Sequence, residues 1–333
     1  MRRLPVFVMV DVSESMVGNA ITAMHDGMQM LLQALKKDPM VIEIGAMSVI
    51  SFGSKAKVEV PLSSVLDIRI PSLDLSSGTS LGKAFEMLTS ECNSKVTKTT
   101  REIRGDYKPI VFLITDGQPT DNWRVGYAKF RKYYPTVSIY AVGCGDDVDF
   151  SILKEITPNT YVMRDMSAES FGKLFQCVTA SVRSVTASMM NGDGVKDDLA
   201  ELSNGEVRKA TAEECHPMGE FRQVLIPGMC SKTRRYFLIR YKMSELDKFS
   251  LAAVHPLEGK LEGGGSSGGN INVNELDNSG FKCPHCGNGG MFYCDTCHAV
   301  VCMTPDRMHG HCPGCGWEGE LSYTSFDLRK SIG

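Results

Sequence analysis

Hydrophobic and polar positions along residues 1–190 follow two alternating rhythms. Short β-branched, apolar runs stand at 5–10, 41–52, 56–60, 109–115, 136–143 and 160–163. Such runs fit strands buried on both faces. Between them lie amphipathic stretches with helical spacing: 17–37 carries Ala20, Met24, Met28, Leu31 and Leu35, and 167–189 carries Phe171, Leu174, Phe175 and Val178. Pro39 predicts the close of the first helix and Ser167 the cap of the last. Strands alternating with helices predict an α/β fold, doubly wound and Rossmann-like, around a mostly parallel central sheet. The stretch 41–60 has no room for a crossover helix, so an antiparallel edge hairpin turning near Gly53 and Ser54 is expected there.

The rhythm breaks after residue 190, where charges accumulate. Strand-like runs return at 221–226, 236–241 and near 249–254, which predicts a small β-rich connecting module over 191–262. Gly263–Gly269 is flexible-linker chemistry, so 263–280 reads as a linker before a last segment, 281–333. The basic positions Lys232, Arg234, Arg235, Arg240 and Lys242 read as a solvated hairpin face.

Composition narrows the function. A formal charge of −3 over 333 residues, 23% of them charged, removes the electrostatic case for nucleic acid or an anionic membrane as principal partner. Pro5 and Asp11 confine the first apolar run to a few residues, so the basic start reads as a first strand and not as a leader. No stretch approaches a membrane span. Of twelve cysteines, seven crowd into 283–315 as closely spaced pairs, while Cys92, Cys144, Cys177, Cys215 and Cys230 are scattered. Without a secretion signal this pattern favours metal over disulfide and predicts a cytoplasmic, reducing location. Cys230, His255 and the Cys215–His216 pair lack paired ligand spacing and read as structural.

The first candidate site begins where the first strand ends, at Asp11-Val-Ser13-Glu-Ser15. Ligands bind outside the carboxyl ends of strands in open α/β sheets, because the loops diverge there. Ser77-Gly-Thr79-Ser-Leu-Gly82 opens a later helix, and Val111–Thr115 ends a buried strand just before Asp116. Hydroxyls with a few carboxylates suit Mg²⁺, or Mn²⁺, better than any softer metal. Each piece alone is ordinary turn or capping chemistry; their joint appearance in order is not. Together Asp11, Ser13, Ser15, Thr79 and Asp116 resemble the metal-ion-dependent adhesion site of the von Willebrand factor A domain, a resemblance covering roughly residues 4–185. It implies hydroxyl coordination by Ser13 and Ser15, direct or water-mediated roles for Thr79, Asp11 and Asp116, and a coordination position filled by an acidic side chain of a partner. Asp146, Asp147 and Asp149 read as loop solvation and a helix cap. Asp121 and Trp123 stand where they could border the metal face, and Trp123, if exposed, would be a contact anchor.

The second candidate site is the cysteine cluster. Cys283-Pro-His-Cys286-Gly and Cys312-Pro-Gly-Cys315-Gly are nearly one knuckle repeated, with Cys294, Cys297 and Cys302 between them. Cys-x-x-Cys turns place two thiolates on one Zn²⁺ and predict a zinc-binding, ribbon-like domain holding two ions. The outer knuckles make one complete site; Cys294, Cys297 and Cys302 with His309 or His311 make a second. An interleaved cross-brace is equally compatible. His285 and His298 read as neighbours of the knuckles, and Trp317 as packing. Four Lys or Arg against five Asp or Glu in 281–333 argue against phosphate binding.

The order of modules resembles the TerY family associated with bacterial tellurium resistance. That resemblance is carried by Asp11-Val-Ser13-Glu-Ser15-Met16, the 224–241 stretch and the Cys283 knuckle. It implies a non-catalytic adaptor working with a serine/threonine-kinase-like protein and a PP2C-type phosphatase in stress signalling. The rival is an Mg-dependent phosphotransferase or phosphatase using Asp11. Such enzymes place a second aspartate two residues on, where Ser13 stands here, and no Walker loop or Ser/His/Asp order is present. A zinc-ribbon nucleic-acid binder is the third reading.

Overall fold

The structure is a computed structural model that describes residues 2–116, 118–145, 148–191, 207–211, 223–243, 248–257, 259, 270–304, 309–321 and 327–329. Asp146, Asp147, Cys215, His216 and the 263–269 stretch lie outside them. The chain divides into two compact units, the first taking in nearly all of Met1–Met218 and the second Gly219–Gly333.

In the first unit, strands β1 (Leu4–Asp11), β2 (Gly45–Phe52), β3 (Ala56–Ser64), β4 (Ile110–Thr115), β5 (Ser138–Cys144), β6 (Thr160–Met163) and β7 (Val207–Lys209) form one sheet in the order β3-β2-β1-β4-β5-β6-β7. The inner pairings are parallel, and both edges, β2 with β3 and β6 with β7, are antiparallel. The expected hairpin is thus present, and a second antiparallel edge comes from residues that the sequence assigns to the connecting module.

Strand alternation divides the core into two layers. Val6, Val8 and Val10 of β1, with Ile110, Phe112 and Ile114 of β4, face one cluster; Phe7, Met9, Val111 and Leu113 face the other. Helices α1 (Asn19–Leu35), α2 (Pro39–Ile44) and α6 (Ala168–Asn191) supply the first layer, and α3 (Leu81–Lys95), α4 (Trp123–Tyr133) and α5 (Phe150–Ile156) the second. A strand covered on both faces has no solvent side, which is why β1 and β4 are buried throughout.

Local chemistry sets the helix ends. Ser167 Oγ accepts from Ser170 N at 3.3 Å at the start of α6, and Asp149 accepts from Ser151 N at 2.9 Å at the start of α5, both as expected. Residues 41–44, expected as strand, are helical instead. Asp38 accepts from Met40 N and Val41 N, and Pro39 fits the first helical position, so the Asp-Pro pair opens α2. Helices α3 and α4 approach so closely that a Cβ on Gly126 would lie 2.2 Å from the Gly82 carbonyl oxygen. Among the described residues no helix is long and apolar enough to cross a membrane.

In the second unit, β8 (Gln223–Met229), β9 (Tyr236–Met243), β10 (Phe249–Pro256), β12 (Leu276–Asp277), β13 (Gly290–Tyr293) and β14 (Val300–Met303) form a sheet in the order β12-β10-β9-β8-β14-β13. Small pairs join β11 (Asn270–Asn272) to β17 (Asp327–Arg329) and β15 (His309–His311) to β16 (Glu318–Glu320). The connecting module and the cysteine segment therefore share one sheet, through the parallel pairing of β8 with β14.

Candidate metal centres

The order of strands puts the switch point of the first sheet between β1 and β4: the chain leaves β1 towards β2 on one side and meets β4 on the other. Register aligns Val10 with Ile114, so Asp11 and Thr115 end neighbouring strands. Thr115 Oγ1 donates to Asp11 Oδ2 at 2.5 Å, and Ser13 N donates to Asp11 Oδ1 at 2.9 Å. A 3-10 turn over Glu14–Met16 brings Ser15 back towards Ser13. Their hydroxyls lie 2.8 Å apart, and Ser15 Oγ donates to Asp116 Oδ1 at 2.7 Å. Asp11, Ser13, Ser15 and Asp116 are thus linked in one buried constellation.

Thr79 stands before α3 and is tied to the loop that follows Asp116. Thr120 N donates to the Thr79 carbonyl at 2.9 Å, and Thr79 N donates to Thr120 Oγ1 at 3.1 Å. Its own hydroxyl is buried and has no hydrogen-bond partner among the described residues. A buried hydroxyl without a partner is costly, and a cation is one partner that satisfies it. Burial pushes the Asp11 carboxyl up to about 6, against the hydrogen bonds from Thr115 and Ser13, with Glu14 adding to the push. A cation beside it would relieve that penalty. Oxygen donors alone, few of them charged, fit a small hard divalent ion.

By sequence, Thr115 and Thr120 are passed over as supports of the site, and Asp121 is placed only at the border of the metal face. Asp121 belongs to the frame and not to a contact surface, since its carboxylate accepts from Gly82 N and Lys83 N at the start of α3. Trp123 is buried, against Tyr127, with the Arg124 guanidinium over its ring, so it is no exposed anchor.

The family model for the von Willebrand factor type A domain matches residues 6–176, just over half of the chain, and that span contains all five oxygen-bearing residues. The chain belongs to the von Willebrand factor type A family. Solved structures similar to it include proximal thread matrix protein 1 from the mussel byssus (18% identity, 54% of this chain and 47% of that one, TM-score 0.41). They also include a von Willebrand factor type A protein from Catenulispora acidiphila (14%, 55% and 43%, 0.43) and the ArnB paralog VWA2 from Sulfolobus acidocaldarius (14%, 77% and 64%, 0.38). This chain spans less than half the length of the first two. A comparison with curated proteins gives no match.

Beyond the A domain, the cysteines gather into two groups of four. Cys230, Cys283, Cys286 and Cys302 form one, and Cys294, Cys297, Cys312 and Cys315 the other; within each the sulfurs lie within 4.8 Å of one another. Close pairs are Cys286–Cys302 at 3.5 Å, Cys297–Cys312 at 3.5 Å and Cys294–Cys315 at 3.6 Å. Four thiolates about 2.3 Å from a tetrahedral zinc stand about 3.8 Å apart, whereas a disulfide closes to about 2.05 Å.

The partition is the interleaved cross-brace, one of the two that the ligand spacing allows. The two outer knuckles do not share a group: Cys312 and Cys315 join Cys294 and Cys297, and Cys302 joins the Cys283 knuckle. The eighth member of the two groups is Cys230, and neither His309 nor His311 belongs to either group. His311 Nδ1 instead faces Glu318 at 2.8 Å in the β15–β16 hairpin, where both histidines are exposed. His285 Nε2 meets the Tyr236 carbonyl and His298 Nδ1 the Tyr293 hydroxyl, beside the knuckles and outside both groups. Trp317 packs on Phe292.

Proposed function

We propose that this protein is a non-catalytic, metal-dependent interaction adaptor. The observation that carries the reading is the linked set Asp11, Ser13, Ser15 and Asp116 at the switch point, together with the buried Thr79 hydroxyl that has no partner among the described residues. These residues would hold Mg²⁺, or Mn²⁺. The ion would supply an electropositive centre with an exchangeable position that an acidic side chain of a partner completes. Asp11 is fully buried with an oxygen engaged by each of Ser13 and Thr115, so it acts as an anchor of the constellation. That engagement also weighs against its use as a phosphoryl acceptor. The two cysteine groups would hold one zinc each and build the second unit.

The order of the modules supports partners of the serine/threonine-kinase-like and PP2C-phosphatase classes, in a cytoplasmic phosphorylation system of the tellurium-resistance type. The test is capture of such partners by wild type and by Asp11→Ala, with and without Mg²⁺, the variant's fold being checked by circular dichroism. Capture that needs Mg²⁺ and Asp11 is expected. Capture indifferent to chelation and to the substitution would overturn the metal bridge. Phosphoryl transfer or phosphatase turnover by the purified chain, lost in the same variant, would favour the enzymatic reading.

A further inference from the structure

Three Cys-x-x-Cys turns in the second unit share one backbone pattern. In each, the first cysteine's carbonyl accepts from the N–H four residues on, and its N–H donates to the carbonyl five residues on. The pairs are Gly287 to Cys283 and Cys283 to Asn288, His298 to Cys294 and Cys294 to Ala299, and Gly316 to Cys312 and Cys312 to Trp317. The fourth-residue position has positive φ every time: Gly287 at 75°, His298 at 60° and Gly316 at 77°.

The turn between β8 and β9 repeats this pattern with a single cysteine. Arg234 N donates to the Cys230 carbonyl at 3.0 Å, Cys230 N donates to the Arg235 carbonyl at 2.8 Å, and Arg234 has φ 58°. Thr233 fills the place of the second cysteine, and its N–H points at Cys230 Sγ at 3.4 Å. N–H groups turned onto sulfur are what a metal-bound thiolate needs from its surroundings. The missing sulfur comes from the neighbouring strand. Register pairs Gly228 with Val300 and Met229 with Val301, so one further step sets Cys230 beside Cys302. Ser231 N in turn donates to Cys302 Sγ at 3.3 Å.

We infer that the β8–β9 turn is a fourth zinc knuckle, and that Cys230, with Cys302 and the Cys283–Cys286 pair, forms a tetrathiolate zinc site stapling the hairpin to the cysteine-rich segment. This rests on the zinc reading above and adds its eighth ligand. The consequence is structural: two parts of the chain separated by more than fifty residues are closed by one ion, so the β8–β14 pairing depends on metal. Arg234, a non-glycine residue in a left-handed conformation, is held there by the knuckle.

The test is native mass spectrometry of the full chain loaded with Zn²⁺ and dialysed against a competing chelator. Wild type, His309→Ala and His311→Ala are expected to keep two ions and Cys230→Ser one. Two ions retained by Cys230→Ser, or one lost from His311→Ala, overturns the assignment. Because Cys230→Ser could misfold, cysteine alkylation of wild type provides the second measurement. Chelation should open Cys230 together with Cys283, Cys286 and Cys302, while Cys92, Cys144 and Cys177 in the A-domain core stay protected. Cys230 left unmodified when those three react overturns the site. A wild type that holds no zinc under any loading removes the underlying reading, and the site with it.

Discussion

The Asp121 carboxylate accepts the Gly82 backbone N–H at 3.0 Å, so a residue in the loop after β4 caps the helix that follows Thr79. Its other oxygen takes the Lys83 N–H at 3.1 Å. The two loops carrying Thr79 and Asp116 are thereby fixed to each other by a cap from outside the helix. Replacing Asp121 by Ala should cost about 1–2 kcal/mol of stability, the usual value of a lost cap. It should also weaken Mg²⁺ binding several-fold by calorimetric titration, although Asp121 is not itself a proposed ligand. Unchanged affinity would show that the loops are positioned by something else.

Thr79→Val separates stability from binding. A buried hydroxyl with no partner costs about 1–3 kcal/mol by mutational measure, and Val keeps the shape without the polar atom. In chelator the variant should melt at or above the wild-type temperature, while its Mg²⁺ affinity falls about tenfold or more (a loss of about 1.4 kcal/mol or greater). A variant destabilised in chelator would mean that the hydroxyl has a partner in the metal-free protein.

Gly126→Ala tests the contact between α3 and α4. The added methyl would meet the Gly82 carbonyl oxygen at 2.2 Å, a backbone atom that cannot rotate away. Overpacking of this kind costs about 1–3 kcal/mol. Denaturant unfolding should show the loss, and because α3 begins beside Thr79, Mg²⁺ affinity should fall with it.

At the start of β1, Asp106 gathers the Arg3 backbone and guanidinium and the Thr97 N–H. Burial raises the Asp106 carboxyl, but these hydrogen bonds outweigh it and hold the group below its ordinary value. A depressed carboxyl contributes stability that is present above its unfolded pKa and lost as pH falls through the folded one. Wild type should therefore exceed Asp106→Asn by about 1–2 kcal/mol at neutral pH, allowing for the exposed side of Arg3. The gap should close below about pH 4. Urea unfolding of both proteins at neutral and acid pH checks the sign.

Much of the layered A domain was legible because those elements are written locally. The buried runs of β1 and β4, the helical spacing through Met24, Met28 and Leu31, and the caps at Asp149 and Ser167 need only neighbours in sequence. The exception at 41–44 is also local: Asp38 and Pro39 open a helix in a segment whose apolar pattern reads as strand. The five oxygen-bearing residues of the adhesion site were legible as three short motifs at element ends. What holds them was not, because Thr115 meets Asp11 across two strands and Thr120 and Asp121 reach Thr79 and Gly82 from another loop.

By itself, then, the sequence determined most element types of the A domain, its candidate ligands and the presence of Cys-x-x-Cys knuckles, since all three are encoded at spacings of two to five residues. Only the tertiary structure decided which cysteines meet. Pairing of β8 with β14 carries Cys230 to Cys302, and the β15–β16 hairpin turns His311 to Glu318. Strand pairing between distant segments is fixed by packing and register, which no local spacing records.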